Sequence, residues 1–112
     1  MDVIPKRIEY YNTVDGKVPY RDWYYSLKDM KTQAVIRERL TRVERGLFGD
    51  FKWVGEGVYE LRVDFGPGYR IYFGHEGKTI VWLLCGGEKK SQKKDIKTAH
   101  SYWADYLRRR TR

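Results

Sequence analysis

Two arginines and a tyrosine, Arg62, Arg70 and Tyr72, precede the run Gly86-Gly87-Glu88-Lys89-Lys90-Ser91-Gln92-Lys93-Lys94-Asp95. These are the residues of the sequence best suited to chemistry. Fixed guanidinium groups neutralise charge that builds on an anion, and a phenol, amine or carboxylate beside them can accept or deliver protons. The same arginines, standing on the outer face of strands, could equally pair with Glu60 and Asp64 in a surface network. Familiar catalytic signatures are missing: there is no Walker loop, dinucleotide fingerprint, HExxH or HxE…CxxC pattern. His75, in a hairpin turn, and His100, on the last helix, lack partners at metal-ligand spacing, so we expect no metal and no cofactor. The single cysteine, Cys85, excludes a disulfide framework and a multi-cysteine zinc site, suits a reducing cytosol, and reads as a small core residue.

The elements that must position these residues follow from the hydrophobic periods. A short strand over Arg7–Tyr11 ends at Asn12, and the Asp15-Gly16 turn follows. Pro19 opens a helix through Trp23, Tyr24 and Leu27. Asp29 can cap a second helix over Met30–Gly46, with Ile36, Leu40, Val43 and Leu47 on one stripe, closed by Gly46 and Gly49. The period then changes to 2. Phe51–Val54, Val58–Phe65, Tyr69–Gly74 and Thr79–Cys85 read as four strands, and their short glycine-containing turns imply an antiparallel meander. Tyr59, Leu61, Val63 and Phe65 fall on one face; Val58, Glu60, Arg62 and Asp64 fall on the other, which Arg70 and Tyr72 share. Thr79–Cys85 is apolar on both sides, as for a strand covered on both faces. Gly86-Gly87 is expected to break that strand. Ser91 can then cap a last helix carrying Ile96, Ala99, Trp103 and Tyr106/Leu107 inward and its basic residues outward. The order β-α-α-β-β-β-β-α, with a mainly antiparallel sheet, gives the α+β class.

A chain of 112 residues has room for one domain, read as 1–112. Hydrophobic residues at 41% and aromatics at 16% exclude a disordered segment. The net charge of +8 is a C-terminal feature: residues 85–112 carry nine basic and three acidic residues. Such a cluster attracts phosphate backbones or acidic proteins, and the field alone does not say which. The N-terminal sequence lacks a basic segment leading into an apolar stretch, and no window approaches the roughly 20 apolar residues of a membrane span. A cytoplasmic, soluble protein with no membrane partner is the expectation.

Glu60-Leu61-Arg62, Phe65-Gly66-Pro67-Gly68-Tyr69-Arg70-Ile71-Tyr72-Phe73, Leu83–Gln92 and Asp95-Ile96 resemble the toxins of the RelE/ParE superfamily, above all the HigB-like addiction module killer group. The likeness covers nearly the whole chain, including Pro19–Trp23 and Arg39-Leu40 with Gly46 and Gly49. It implies the RelE-like toxin fold of a type II toxin–antitoxin system. It also implies a metal-independent endoribonuclease, or mRNA interferase, that cuts mRNA on the ribosome and inhibits translation. The implied catalytic residues are Arg70, which matches the arginine on the scissile phosphate, Arg62 beside it, Lys89, Lys90, Tyr72 and Asp95. Lys52, Gln92, Lys93, Lys94 and Lys97 are the implied RNA contacts. The likeness further implies a cognate antitoxin, in this group a helix-turn-helix, HigA-like protein. Val58 and Glu60 stand where RelE-like ribonucleases carry lysines, and Asp95 or Ile96 stands where they carry a C-terminal tyrosine. The general base and acid therefore stay open among Tyr72, Lys90 and Asp95. A ParE-like gyrase poison and a non-catalytic binding module of the same fold are the alternatives.

Overall fold

The computed structural model describes residues 3–110. Its elements run β1 (Arg7–Tyr10), α1 (Pro19–Ser26), α2 (Met30–Glu44), β2 (Phe51–Trp53), β3 (Val58–Val63), β4 (Tyr69–Glu76), β5 (Ile80–Glu88), a 3-10 turn (Lys89–Ser91) and α3 (Gln92–Arg110). This is the α+β order read from the periodicity. The five strands form one mixed sheet in the order β1-β5-β4-β3-β2, antiparallel except where β1 runs parallel to β5.

Local sequence accounts for the elements. Pro19 occupies the first turn of α1, where its missing N–H costs nothing. Asp29 caps α2, accepting from the Lys31 N–H at 3.2 Å and the Thr32 hydroxyl at 2.8 Å. Gly66 and Gly68 take positive φ angles of 57° and 85° in the turn that returns β3 into β4, a conformation that side chains resist.

The sheet is covered on both faces. On one side Tyr20 and Tyr24 of α1 and Ile36, Leu40 and Val43 of α2 pack against Leu61, Ile71, Phe73, Val81 and Leu83. On the other, Ala99 and Trp103 of α3 pack against Val58, Tyr72, Leu84 and Cys85. The two-sided apolar character of β5 is thus explained, and Cys85 is a buried core thiol.

Four details differ from the expectation. Leu47 stands exposed beyond the end of α2. His75 lies in β4, paired with Val81, and not in a turn. Among the described residues Ser91 accepts from no backbone N–H; its hydroxyl donates to the Asp95 carboxylate at 2.6 Å. β5 runs straight through Gly86-Gly87. These glycines serve close approach: a Cβ on Gly86 would lie 2.3 Å from the Trp23 ring, and one on Gly87 would lie 2.0 Å from Asp95 Oδ2. Gly86→Ala is accordingly expected to lower stability by about 1–3 kcal/mol through overpacking, read as a shift in the urea midpoint. The loss should shrink in a protein that also carries Trp23→Leu, because the two side chains compete for one space.

Candidate functional site

Strand register assembles the cluster. Glu60 stands opposite Tyr72, Arg62 opposite Arg70, and Lys52 of the edge strand opposite Glu60. All five side chains therefore rise on the face that α3 partly covers. Two arginines directly across a ladder repel one another, and a carboxylate between them removes the conflict. Glu60, fully buried, does this: its Oε1 lies 3.0 Å from Arg62 Nε and 3.8 Å from Arg70 Nε. Its Oε2 accepts from the Tyr72 hydroxyl at 3.2 Å and from Gln92 Nε2 at 2.7 Å. A buried carboxylate is tolerable only when paired and hydrogen-bonded in this manner.

The members of the cluster differ in reach. The Arg62 side chain is about one third exposed, Arg70 one tenth and Glu60 not at all. Arg70 Nη1 donates to the Tyr69 carbonyl at 3.1 Å, whereas its buried Nε has no hydrogen-bond partner among the described residues. Tyr72 is sealed beneath α3. Burial first, then the adjacent Glu60 carboxylate, pushes its hydroxyl well above the ordinary tyrosine range, so it stays an O–H donor.

Basic residues extend from Lys89, next to this centre, along the start of α3. The Lys89 N–H donates to the Gly68 carbonyl at 2.9 Å, fastening the 3-10 turn to the loop that precedes Arg70. Lys90, exposed, lies 3.7 Å from Glu88. With Lys93, Lys94 and Lys97 it lines a broad groove of about 620 Å³ at the start of α3. A second cleft of about 460 Å³ shares Lys90, Ser91 and Lys94 and adds Gly87 and Asp95. Gly87 is the residue paired with Arg70 across the ladder, so Asp95 sits over the position opposite that arginine. Asp95 and burial together hold the Cys85 thiol up at about 12, burial being the larger cause, which leaves it protonated and inert.

The fold thus brings Arg62, Arg70, Tyr72 and Gln92 together on Glu60. Lys89 and Arg70 meet at Gly68 and Asp95 lies over Gly87, whereas Lys90, Lys93, Lys94 and Lys97 line the groove at the start of α3 and Lys52 stands at the sheet edge. The expected open polar face is instead half covered by α3, so Arg70 and Tyr72 are buried rather than outward-facing. Asp64 is exposed and forms no ion pair with either arginine among the described residues. Sequence reasoning missed the central place of Glu60. A signal existed: Val58, an apolar residue on the same face, marks that face as covered. Among the described residues no three His, Cys, Asp or Glu side chains converge as a metal site would require, and no helix is long and apolar enough to cross a membrane.

Two likenesses to known proteins accompany this geometry. The family described as "Phage derived protein Gp49-like (DUF891)" matches residues 26–102. A protein of Haemophilus influenzae, described only as "Uncharacterized protein", is 45% identical over 80 residues, which is 71% of this chain and 81% of that protein. The family match spans α2 through most of α3 and includes every residue of the Glu60 cluster.

Proposed function

This chain belongs to the Gp49-like family of phage-derived proteins, and on that premise we propose that it is the toxin of a toxin–antitoxin pair that cleaves mRNA on the ribosome. The observation that carries the reading is the Arg62–Glu60–Arg70 cluster, two guanidiniums held by one buried carboxylate, together with a lysine-lined groove at the start of α3, the helix whose Gln92 bonds Glu60. Such a site is built for a phosphodiester: the groove takes the backbone, and the guanidiniums meet the charge that grows on one phosphate.

Cleavage needs no outside reagent. The RNA 2′-oxygen attacks the adjacent phosphorus, its proton passes to Asp95, and the phosphorus–5′-oxygen bond breaks as the Lys90 ammonium protonates the leaving oxygen. The products are a 2′,3′-cyclic phosphate and a 5′-hydroxyl. Arg70 and Arg62 stabilise the non-bridging oxygens. Glu60, Tyr72 and Gln92 touch no reacting atom and act as positioning residues. Lys52, Lys93, Lys94 and Lys97 hold flanking phosphates. The antitoxin, in this proposal a helix-turn-helix protein encoded beside the toxin, silences the cationic face by charge complementarity.

One observation favours a second reading, a toxin of the same fold that poisons a protein target such as gyrase. Val58 and Glu60, at the strand positions where related ribonucleases carry lysines, are buried under α3 and present no cation. Induction in a bacterium, with mapping of RNA 5′ ends beside an assay of gyrase-dependent DNA breaks, separates the two. The RNA-cleaving reading expects new 5′-hydroxyl ends, and, on ribosome-free RNA, cyclic-phosphate products that persist in EDTA. Growth arrest with intact mRNA and broken DNA would replace it with the gyrase reading.

A further inference from the structure

The face of the sheet away from the Glu60 cluster carries a groove that this chemistry does not use. It runs between the edge strand β1 and helices α1 and α2, as two connected clefts of about 150 and 220 Å³ that share Tyr10, Arg37 and Leu40. Three features give it a ligand preference.

The first is an unmet donor. Tyr20 lines the smaller cleft, is only 3% exposed, and has a buried hydroxyl without a hydrogen-bond partner among the described residues. Burial raises it above the ordinary tyrosine range, so the group remains an O–H seeking an acceptor. Its neighbour Tyr24 is satisfied, donating to the Gln33 carbonyl at 3.2 Å and accepting from Arg37 Nη1 at 2.7 Å.

The second is unpaired charge. Arg37 from α2 and Arg21 from α1, the latter stacked 5.2 Å over the Tyr10 ring, both line the same cleft and form no ion pair among the described residues. At the other end of the groove, beside Ile8, stands Glu44. The groove is therefore polarised, with its positive end over Tyr20.

The third is an open strand edge. β1 is the outermost strand, and its bonds from Arg7 N–H to Thr79 and from Tyr11 N–H to Leu83 turn the odd-numbered residues toward β5. The backbone groups of Ile8 and Tyr10 consequently face outward, where an added strand would meet them.

We propose that this groove docks an extended segment of a protein partner, added as a strand beside β1, with one Asp or Glu side chain seated between Arg21 and Arg37 over Tyr20. A carboxylate suits the site because it offers acceptors to two guanidiniums and a phenol together. Exposed Tyr25 and Arg37, on different helices, part by rotamer changes to admit it to the hydroxyl. Nucleic acid suits the groove less well. Its middle is apolar, lined by Ile8 and Leu40, its far end is acidic, and the consecutive cations that follow a phosphate backbone lie on α3 instead. This inference does not rest on RNA cleavage and stands or falls separately.

The test uses isotope-labelled full chain made by cell-free synthesis and an acetylated, amidated pentapeptide of alternating valine and threonine with a central glutamate. Expected are NMR shifts at the Ile8 and Tyr10 amides, and affinity about tenfold better than for the glutamine counterpart. Tyr20→Phe should raise the melting temperature, because it deletes an unsatisfied buried hydroxyl, yet bind the glutamate peptide about tenfold more weakly. A purely structural Tyr20 would not lose binding. Equal binding of the two peptides, no shift at millimolar peptide, unchanged affinity in Tyr20→Phe, or stronger shifts of the same amides by an oligouridylate would each overturn the proposal.

Discussion

Glu60→Ala is expected to lower folding stability by about 3–5 kcal/mol, the range for removing one partner of a buried ion pair. Glu60 is fully buried and accepts or pairs with four groups from three elements: Arg62 of β3, Arg70 and Tyr72 of β4, and Gln92 of α3. Deleting the carboxylate leaves two guanidiniums facing across one ladder, with no anion between them, and strands the Tyr72 hydroxyl in the core. Glu60→Gln keeps the shape and one acceptor but no charge, so it should fall between parent and alanine variant. Urea unfolding followed by circular dichroism reads the order. A Glu60→Ala protein within about 1 kcal/mol of the parent, the size of a surface ion pair, would show that the arginines are solvated and the cluster is not buried as described.

That expectation could not have been written from the sequence, and the reason is physical. Period 2 assigns residues to faces, and it did so correctly here: Tyr59, Leu61 and Val63 share one side of β3, Val58, Glu60 and Arg62 the other. It does not say what covers a face. The stripe Ile96, Ala99, Trp103 and Tyr106 shows that α3 has an apolar side, but not that this side lies across β4 and β5 and closes over Tyr72. Gly86-Gly87 misled for a related reason. Glycine in a strand weakens it and is read as an end, yet here it makes room for Trp23 on one face and Asp95 on the other. The glycines become legible only when both helices are in place. The basic loop was legible throughout, because charge needs no fold to be counted; its placement beside Arg70 comes from the Gly68–Lys89 hydrogen bond, which no local pattern announces.

On the RNA-cleaving reading, loss of Arg70 should reduce cleavage by about 10²–10³-fold, the usual cost of removing one preorganised donor at a developing charge. Alanine alone cannot make the case. As an outward strand arginine Arg70 would be dispensable for folding, but its side chain is one tenth exposed and lies beside Glu60 at 3.8 Å, so Arg70→Ala should also lower stability. Arg70→Lys separates the two effects. Lysine retains the positive charge near Glu60, and with it most of the stability, but lacks the planar fork that meets two oxygens of one phosphate. Arg70→Lys should therefore unfold near the parent's urea midpoint while growth arrest and cleavage fall steeply. Arg62→Ala should be milder, since Arg62 Nε is already engaged by Glu60 at 3.0 Å and its third-exposed side chain offers fewer fixed donors. Full growth arrest in a stably folded Arg70→Lys protein would remove Arg70 from the working site. The phosphate contacts would then pass to the lysine groove of α3, where no single residue is indispensable.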